Sequence, residues 1–363
     1  MEYPKLRSSV SVVKLSDIVL EFFLINTRQQ VRLKVHDDTI LQIVCSLDGT
    51  KSISDIAKEF ELPTEQYNEL EDLCAFLKKK SILSTIGSLK DTDDYRQFRR
   101  IITFLEDYSD CEQTLQNMWN NIRNSTVAII GLGAVGTWIA FNLVQSGVKN
   151  FVLIDPDTVD ITNIHRQVGF FEEDIGKEKA DVIEQRLKDM SEEIHIIKIK
   201  EFLDESMLEK SIPCHLDLII NCADKPNVDL TSLWIGAYCM KHRIPHIIGG
   251  GYNMHLSLIG QTVIPYQTAC VKCFETQLAK SNTIDTTKIK KLNIKNRKIG
   301  SYGPMCSIIA SITGMEAFKV LSKRIAPANV NRRGEFNIYD MSIKYTNFRR
   351  DPQCKWCGVK NDM

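Results

Sequence analysis

Three glycines, Gly131, Gly133 and Gly136, set the hardest constraint on this chain. They stand between the apolar run Val127 to Ile130 and an amphipathic stretch that reaches Leu143 and stops at Gly147. That order reads as strand, tight turn and helix. A side chain in the turn would keep the backbone away from a phosphate, and the start of the helix offers unpaired N–H groups to an anion. The next apolar run ends in Asp155, where a dinucleotide fold places the acid that holds a ribose.

The residues after Asp155 point away from a dinucleotide. Hydride transfer has no evident use for Asn163, Arg166 and Lys179 set closely behind a ribose acid, whereas a nucleoside triphosphate does. Guanidinium and ammonium groups hold phosphate oxygens and stabilise the charge that builds as pyrophosphate leaves. Further on, Asp217 to Asp224 reads as a buried strand that ends in another acid.

Taken in order, the GxGxxG turn, DPDTVDITNIHRQ, the GKEK box and the strand ending in Asp224 resemble the adenylating superfamily of ThiF, MoeB and the ubiquitin-activating enzymes. The likeness covers roughly residues 95 to 358. It implies an α/β fold, Rossmann-like and doubly wound, with a mainly parallel sheet. It also implies an ATP site. Gly131, Gly133 and Gly136 would cradle the nucleotide, and Asp155 and Asp157 would bind ribose and adenosine. Asn163, Arg166 and Lys179 would hold the phosphates, with Gln167 from the same motif, and Asp224 would hold Mg²⁺. Arg166, Lys179 and Asp224 are then the catalytic groups for attack of a carboxylate on the α-phosphate, a reaction that needs no protein nucleophile.

Cys270-Val-Lys-Cys273 and Cys354-Lys-Trp-Cys357 form two CxxC knuckles. Four thiolates suit a closed tetrahedral Zn²⁺ site, and a separation of about eighty residues would staple the C-terminal tail to the domain body. A redox dithiol is the other reading of such pairs. The remaining seven cysteines read as core thiols, with Cys306 open to a second reading, since ubiquitin-type activators carry a thioester-forming cysteine in their second half.

Residues 1–87 have a different texture: short alternating strands, a helix begun by Asp37-Asp38-Thr39, a turn at Asp48-Gly49-Thr50, and helices from Ser54 and from Glu65 to Lys80. This order resembles the small winged-helix, PqqD-like domain that binds leader peptides. Residues 88–124 read as a linker and helical segment. Within them Arg96 and Arg99 match the superfamily's arginine that reaches a partner subunit's nucleotide, or are simply helix-surface charges. Residues 125–363 form the ThiF-type adenylation domain. Gly249-Gly250-Gly251-Tyr252-Asn253 is either an acceptor-peptide surface or a tight turn. The basic run Lys288, Lys290, Lys291, Lys295, Arg297 and Lys298 either guides an acidic peptide or is a solvated face.

Within the superfamily, TNIHRQVGFFEEDIGKEKADVIEQRL and CADKPN resemble the peptide-tailoring, MccB-like and PaaA-like branch. That branch implies ATP-dependent adenylation of a ribosomal precursor peptide, leader plus core, by a homodimer. A sulfur-carrier or ubiquitin-like activator would have the same site and a protein acceptor ending in Gly-Gly. The 46 basic and 46 acidic residues cancel, which gives no support for a nucleic-acid or anionic-membrane partner. The apolar runs are too short for a membrane span and the N-terminus lacks a signal core, so the expected location is the cytoplasm.

Overall fold

In the computed structural model, which describes residues 3–36, 38–249, 252–253, 256–281 and 300–358, the chain divides into two units, Met1–Trp119 and Asn120–Met363. The first begins with β1 (Val10–Ser16), β2 (Val19–Leu24) and β3 (Gln29–Lys34), an antiparallel sheet in that order. Helices α1 (Thr39–Cys45), α2 (Ile53–Glu59) and α3 (Thr64–Lys79) follow. Alternation puts Leu20, Phe22 and Leu24 of β2 on the inner face, where they share a core with Ile43, Val44, Ile56, Leu70 and Leu77. Ser52 starts α2 with a capping box, its hydroxyl oxygen accepting the Asp55 N–H at 3.1 Å while Asp55 accepts the Ser52 N–H at 3.3 Å. The expected side-chain cap on α1 is not made. Asp38 sits at the right position, but its carboxylate pairs with Lys14 at 2.7 Å, and Asp37 lies outside the described residues.

Beyond these come α4 (Asp93–Glu106), capped by Thr92, and α5 (Glu112–Asn124), inside which the division between units falls. Buried Arg7 ties this part of the first unit together, donating to the carbonyls of Leu83, Glu106 and Ser109 at 2.8 to 2.9 Å.

The second unit is built on six strands. β4 (Thr126–Ile130), β5 (Asn150–Ile154), β6 (His195–Ile199), β7 (Leu218–Asn221) and β8 (His246–Ile248) are parallel in the spatial order β8-β7-β4-β5-β6. A short strand at Thr262–Val263 adds antiparallel to β8. Ala128, Ile130, Val152, Ile154 and Ile219 pack with the helices Glu205–Ser211 and Val228–His242 on one face. Their neighbours Val127, Ile129, Phe151 and Leu153 are also buried and point to the other face. There the helices Ala134–Gln145, Lys179–Met190 and Gly303–Ser322 lie against the strands. The doubly wound, mainly parallel sheet is as the sequence implied. A second, antiparallel sheet carries Tyr252–Asn253, Leu256–Ile259, Arg332–Asn337 and Ser342–Asn347.

The helix Gly303–Ser322 has the length and apolarity of a membrane span. It is a core helix here, with Cys306, Ile309, Ala310, Ala317 and Leu321 buried against its neighbours.

His246, on β8, is fully buried; its Nδ1–H donates to the Ile244 carbonyl at 3.1 Å, and Nε2 has no partner among the described residues. Burial holds its pKa down at about 4. The neutral ring is therefore favoured in the native state. Its contribution is complete above the unfolded pKa and is lost as pH falls from about 6.5 toward 4. Between pH 7.5 and pH 5.5 the wild type should lose ~1.3 kcal/mol more stability than His246→Phe. Urea unfolding of both proteins at the two pH values measures this, and equal losses would contradict it.

Candidate active site

The turn between β4 and the helix from Ala134 depends on its glycines in three different ways. Gly131 has φ +95°, and a Cβ there would lie 2.7 Å from the Cys222 carbonyl oxygen. A Cβ on Gly136 would lie 1.9 Å from the Gly131 carbonyl oxygen. Gly133 meets nothing within 4 Å, and its bare side lines a cleft of about 620 Å³. Gly131 thus lets the loops after β4 and β7 touch, Gly136 lets the start of the helix close against the Gly131 carbonyl, and Gly133 leaves room for a ligand at the helix N-terminus.

Asp155 ends β5 and is 5% exposed. Its two oxygens accept the N–H of Leu132 at 2.6 Å and of Asp157 at 2.8 Å. Burial raises its pKa against the pull of Lys179 and these two donors. Asp157 is held below the usual carboxylate range: burial pushes it up, but Lys225 and Lys179 outweigh that. Lys225 Nζ lies 3.0 and 3.1 Å from the two Asp157 oxygens, and Lys179 Nζ lies 3.4 Å from one of them. Lys179 is the first residue of its helix, is buried, and donates its N–H to the Asp157 carbonyl at 3.0 Å.

A 3₁₀ turn at Ile161–Asn163 presents the next group. Asn163 accepts the Asp160 N–H at 3.0 Å. Arg166 reaches the Thr162 carbonyl and the His165 ring. The Arg166 Nε and Gln167 Oε1 atoms are buried without a partner among the described residues, and both residues line the cleft. Asp224 stands exposed in the loop after β7, its carboxylate making no hydrogen bond or ion pair among the described residues.

The cleft gathers Gly131, Gly133, Asp155, Asp157, Asn163, Arg166, Gln167, Lys179 and Asp224, with Gly136 just behind the loop. Its orphaned Arg166 donor, its bare helix N-terminus and its buried lysine fit a polyphosphate. The free Asp224 carboxylate fits a Mg²⁺ that would travel with that polyphosphate. Among the lining residues that escaped the motif reading are Lys225 and Phe202. Lys225 was findable, because it directly follows Asp224 in CADKPN. Phe202 was not, because only the spatial strand order puts it here.

Cys270, Cys273, Cys354 and Cys357 converge, their sulfurs all within 4.8 Å of one another. The contacts of 3.3 Å for Cys273–Cys357 and 3.6 Å for Cys270–Cys354 approach the ~3.8 Å between sulfurs of a tetrahedral Zn²⁺ site with 2.3 Å bonds. All four are free thiols. Backbone N–H groups of Asp351 and Trp356 point at Cys273 and Cys354 sulfurs, at 3.4 and 3.5 Å. Burial raises the Cys273 thiol, a cost that a bound cation would reverse. The other cysteines are mixed rather than uniformly internal: Cys74, Cys239 and Cys306 are buried, Cys222 is half-buried, and Cys45, Cys111 and Cys214 are exposed. Short turns and helix ends, not packing, place those three at the surface.

Arg96 and Arg99 belong to the first unit, on exposed positions of α4, with Arg96 paired to Asp93 at 2.9 Å. Gly250 and Gly251 lie outside the described residues, as does the basic run from Lys288 to Lys298.

Residues 110–356 match the ThiF family. The chain is 29% identical over 279 residues to the sulfur carrier protein ThiS adenylyltransferase of Escherichia coli K12, spanning 75% of this chain and 98% of that protein. Among solved structures it resembles E. coli MccB with MccA-N7isoAsn (TM-score 0.75, 22% identity, 99% of this chain and 100% of that one). It also resembles PaaA (TM-score 0.72, 20% identity, 94% and 99%).

The unlike roles of the glycines predict unlike defects. Gly136→Ala should lower stability by about 1–3 kcal/mol through the clash with Gly131, seen as a fall in melting temperature. Gly133→Ala should melt like the wild type yet bind triphosphate more weakly by calorimetry. Equal melting of the two variants would show that the loop is not packed as described.

Proposed function

The chain belongs to the ThiF family and is an ATP-dependent adenylyltransferase, and from that premise we propose that its acceptor is a ribosomally made precursor peptide, activated at a carboxyl or carboxamide in the making of a peptide natural product. One observation carries this choice. The MccB structure matches this chain from end to end, whereas the ThiS adenylyltransferase leaves part of it without a counterpart. The extra part supports a leader-binding role for residues 1–87, as a PqqD-like domain whose β1 or β3 edge would take the leader as an added strand. Residues 88–124 would then be the connecting segment and 125–363 the adenylation domain. MccB is also the protein whose structure carries an MccA peptide.

In the reaction, the acceptor oxygen attacks the α-phosphorus of ATP, the bond to the β-phosphate oxygen breaks, and pyrophosphate leaves with its electron pair. Asp155 and Asp157 would hold the ribose and adenosine, and the N–H groups after Gly133 would cradle phosphate. Asn163, Arg166, Gln167 and Lys179 would bind the β- and γ-oxygens, Arg166 and Lys179 neutralising the charge that develops on the leaving group. Asp224 would hold Mg²⁺, which supplies further charge to the phosphates. Arg96 or Arg99 would complete the site from the second copy of a homodimer. The four cysteines would hold a structural Zn²⁺. We place the enzyme in the cytoplasm, where ATP and nascent precursor meet, with no nucleic-acid or membrane partner.

A second reading has its own support. Sequence identity is higher to the sulfur-carrier enzyme than to the peptide-type structures, which favours a small carrier protein ending in Gly-Gly as acceptor. Exchange of labelled pyrophosphate into ATP, run with a precursor peptide in one arm and a Gly-Gly carrier in the other, should proceed in the peptide arm. Exchange only with the carrier would replace the first reading by the second. In whichever arm works, Arg166→Ala and Asp224→Ala should slow exchange by roughly 10²-fold or more, and a normal rate in either variant would show that the site is misassigned. Elemental analysis should find about one zinc per chain, lost in Cys273→Ser together with several degrees of melting temperature. A metal-free wild type would remove zinc from the account.

A further inference from the structure

Phe202 has no part in the phosphate chemistry, yet it lines the cleft with its side chain 62% exposed. Apart from Val228, at 43%, the other apolar residues of the lining are buried or half-buried. Its place follows from the strand order. β4, β5 and β6 are neighbours in the sheet and run parallel. The phosphate loop follows β4, the acids Asp155 and Asp157 follow β5, and Phe202 comes three residues after Ile199, the end of β6. Strands lie ~4.8 Å apart, so the three features step along one edge in the order phosphate, ribose, base, over a length that suits a nucleotide. Lys225 ties the last two steps together: its Nζ lies 5.9 Å from the Phe202 ring centroid while it holds both Asp157 oxygens.

From this placement we infer that Phe202 is the platform on which the nucleotide base stacks, with Lys225 keeping the ring beside Asp157. The inference rests on the ATP reading above and adds how the base is recognised: by its π face on an aromatic ring rather than by the phosphate cradle. Stacking of a base on an aromatic side chain is worth roughly 5- to 100-fold in affinity.

The test is calorimetric titration of the intact protein with Mg-ATP and, separately, with inorganic tripolyphosphate. Phe202→Ala should weaken ATP binding about ten-fold and leave tripolyphosphate binding unaltered, and Phe202→Trp should restore the ATP affinity. The inference is overturned if Phe202→Ala binds ATP as tightly as the wild type, if tripolyphosphate weakens in parallel, or if Phe202→Trp fails to restore binding. A parallel loss would mean that the ring supports the shape of the cleft instead. A wild type that binds no ATP overturns this inference and the nucleotide reading together. A wild type that binds ATP but activates no peptide removes the acceptor reading and leaves the base platform standing on its own result.

Discussion

The buried carboxylate of Asp155 is the interaction on which the second unit's active edge depends. It ends β5 yet accepts an N–H from Leu132, in the loop after β4, and another from Asp157 in its own loop. Two adjacent loops are thereby fixed to one side chain whose burial makes any loss of those donors expensive. Gly131 extends the same constraint sideways, since only bare backbone there lets the β4 loop press on Cys222 after β7. Three strand ends become one rigid rim. The groups proposed for phosphate, ribose and metal can then sit on three separate loops without losing register.

What was legible in the sequence was what is local. The glycine turn, the acid after β5, the Asn163 to Gln167 turn and the two CxxC knuckles can each be picked out within a few residues, because a tight turn or a knuckle needs particular residues at fixed offsets. The pairing of knuckles was legible as well, since two half-sites of a tetrahedral centre imply each other. What escaped is set by topology. Phe202 is one aromatic in an unremarkable loop until β6 is known to lie beside β5. Lys225 could have been suspected from its neighbour Asp224, but its grip on Asp157 crosses from one loop to another. Asp38 shows the opposite failure: a sound local expectation of a helix cap was overridden by a lysine two strands earlier in the chain. The roles proposed for Arg96 and Arg99 are of a third kind, because an arginine that would act on a second copy leaves no trace in the residues around it.

Charge is distributed in the cleft so that it is nearly cancelled before any ligand arrives. Lys179 and Lys225 both lean on Asp157, which stays ionised because their pull outweighs its burial. A triphosphate would therefore compete with the Asp157 carboxylate for the Lys179 ammonium group, while Lys225 stays on Asp157. A ribose hydroxyl would in turn offer Asp157 a neutral partner as Lys179 turns away. The exchange limits the desolvation cost of a buried lysine in the empty site, and it couples the nucleoside end of the cleft to its phosphate end through a single acid.

The same cleft restricts what can follow adenylation. A route through an enzyme thioester needs a thiolate within reach of the activated acyl group. Every cysteine of the chain is among the described residues, and in the second unit none meets that need. Cys222 lines the cleft, but burial pushes its thiol up to about 12. Cys306 is buried in the first turn of its helix, its thiol raised by burial and its sulfur 3.9 Å from the Ser301 hydroxyl. Cys239 is enclosed beneath the sheet, and the four knuckle cysteines are committed to one another. Cys214 is exposed but precedes β7, so it belongs to the end of the sheet opposite the cleft. An acyl adenylate formed as proposed above would thus meet no ready thiolate among these cysteines. On the peptide reading its next partner would be a nucleophile brought by the acceptor itself or by a second molecule, as an internal amide of a peptide would be.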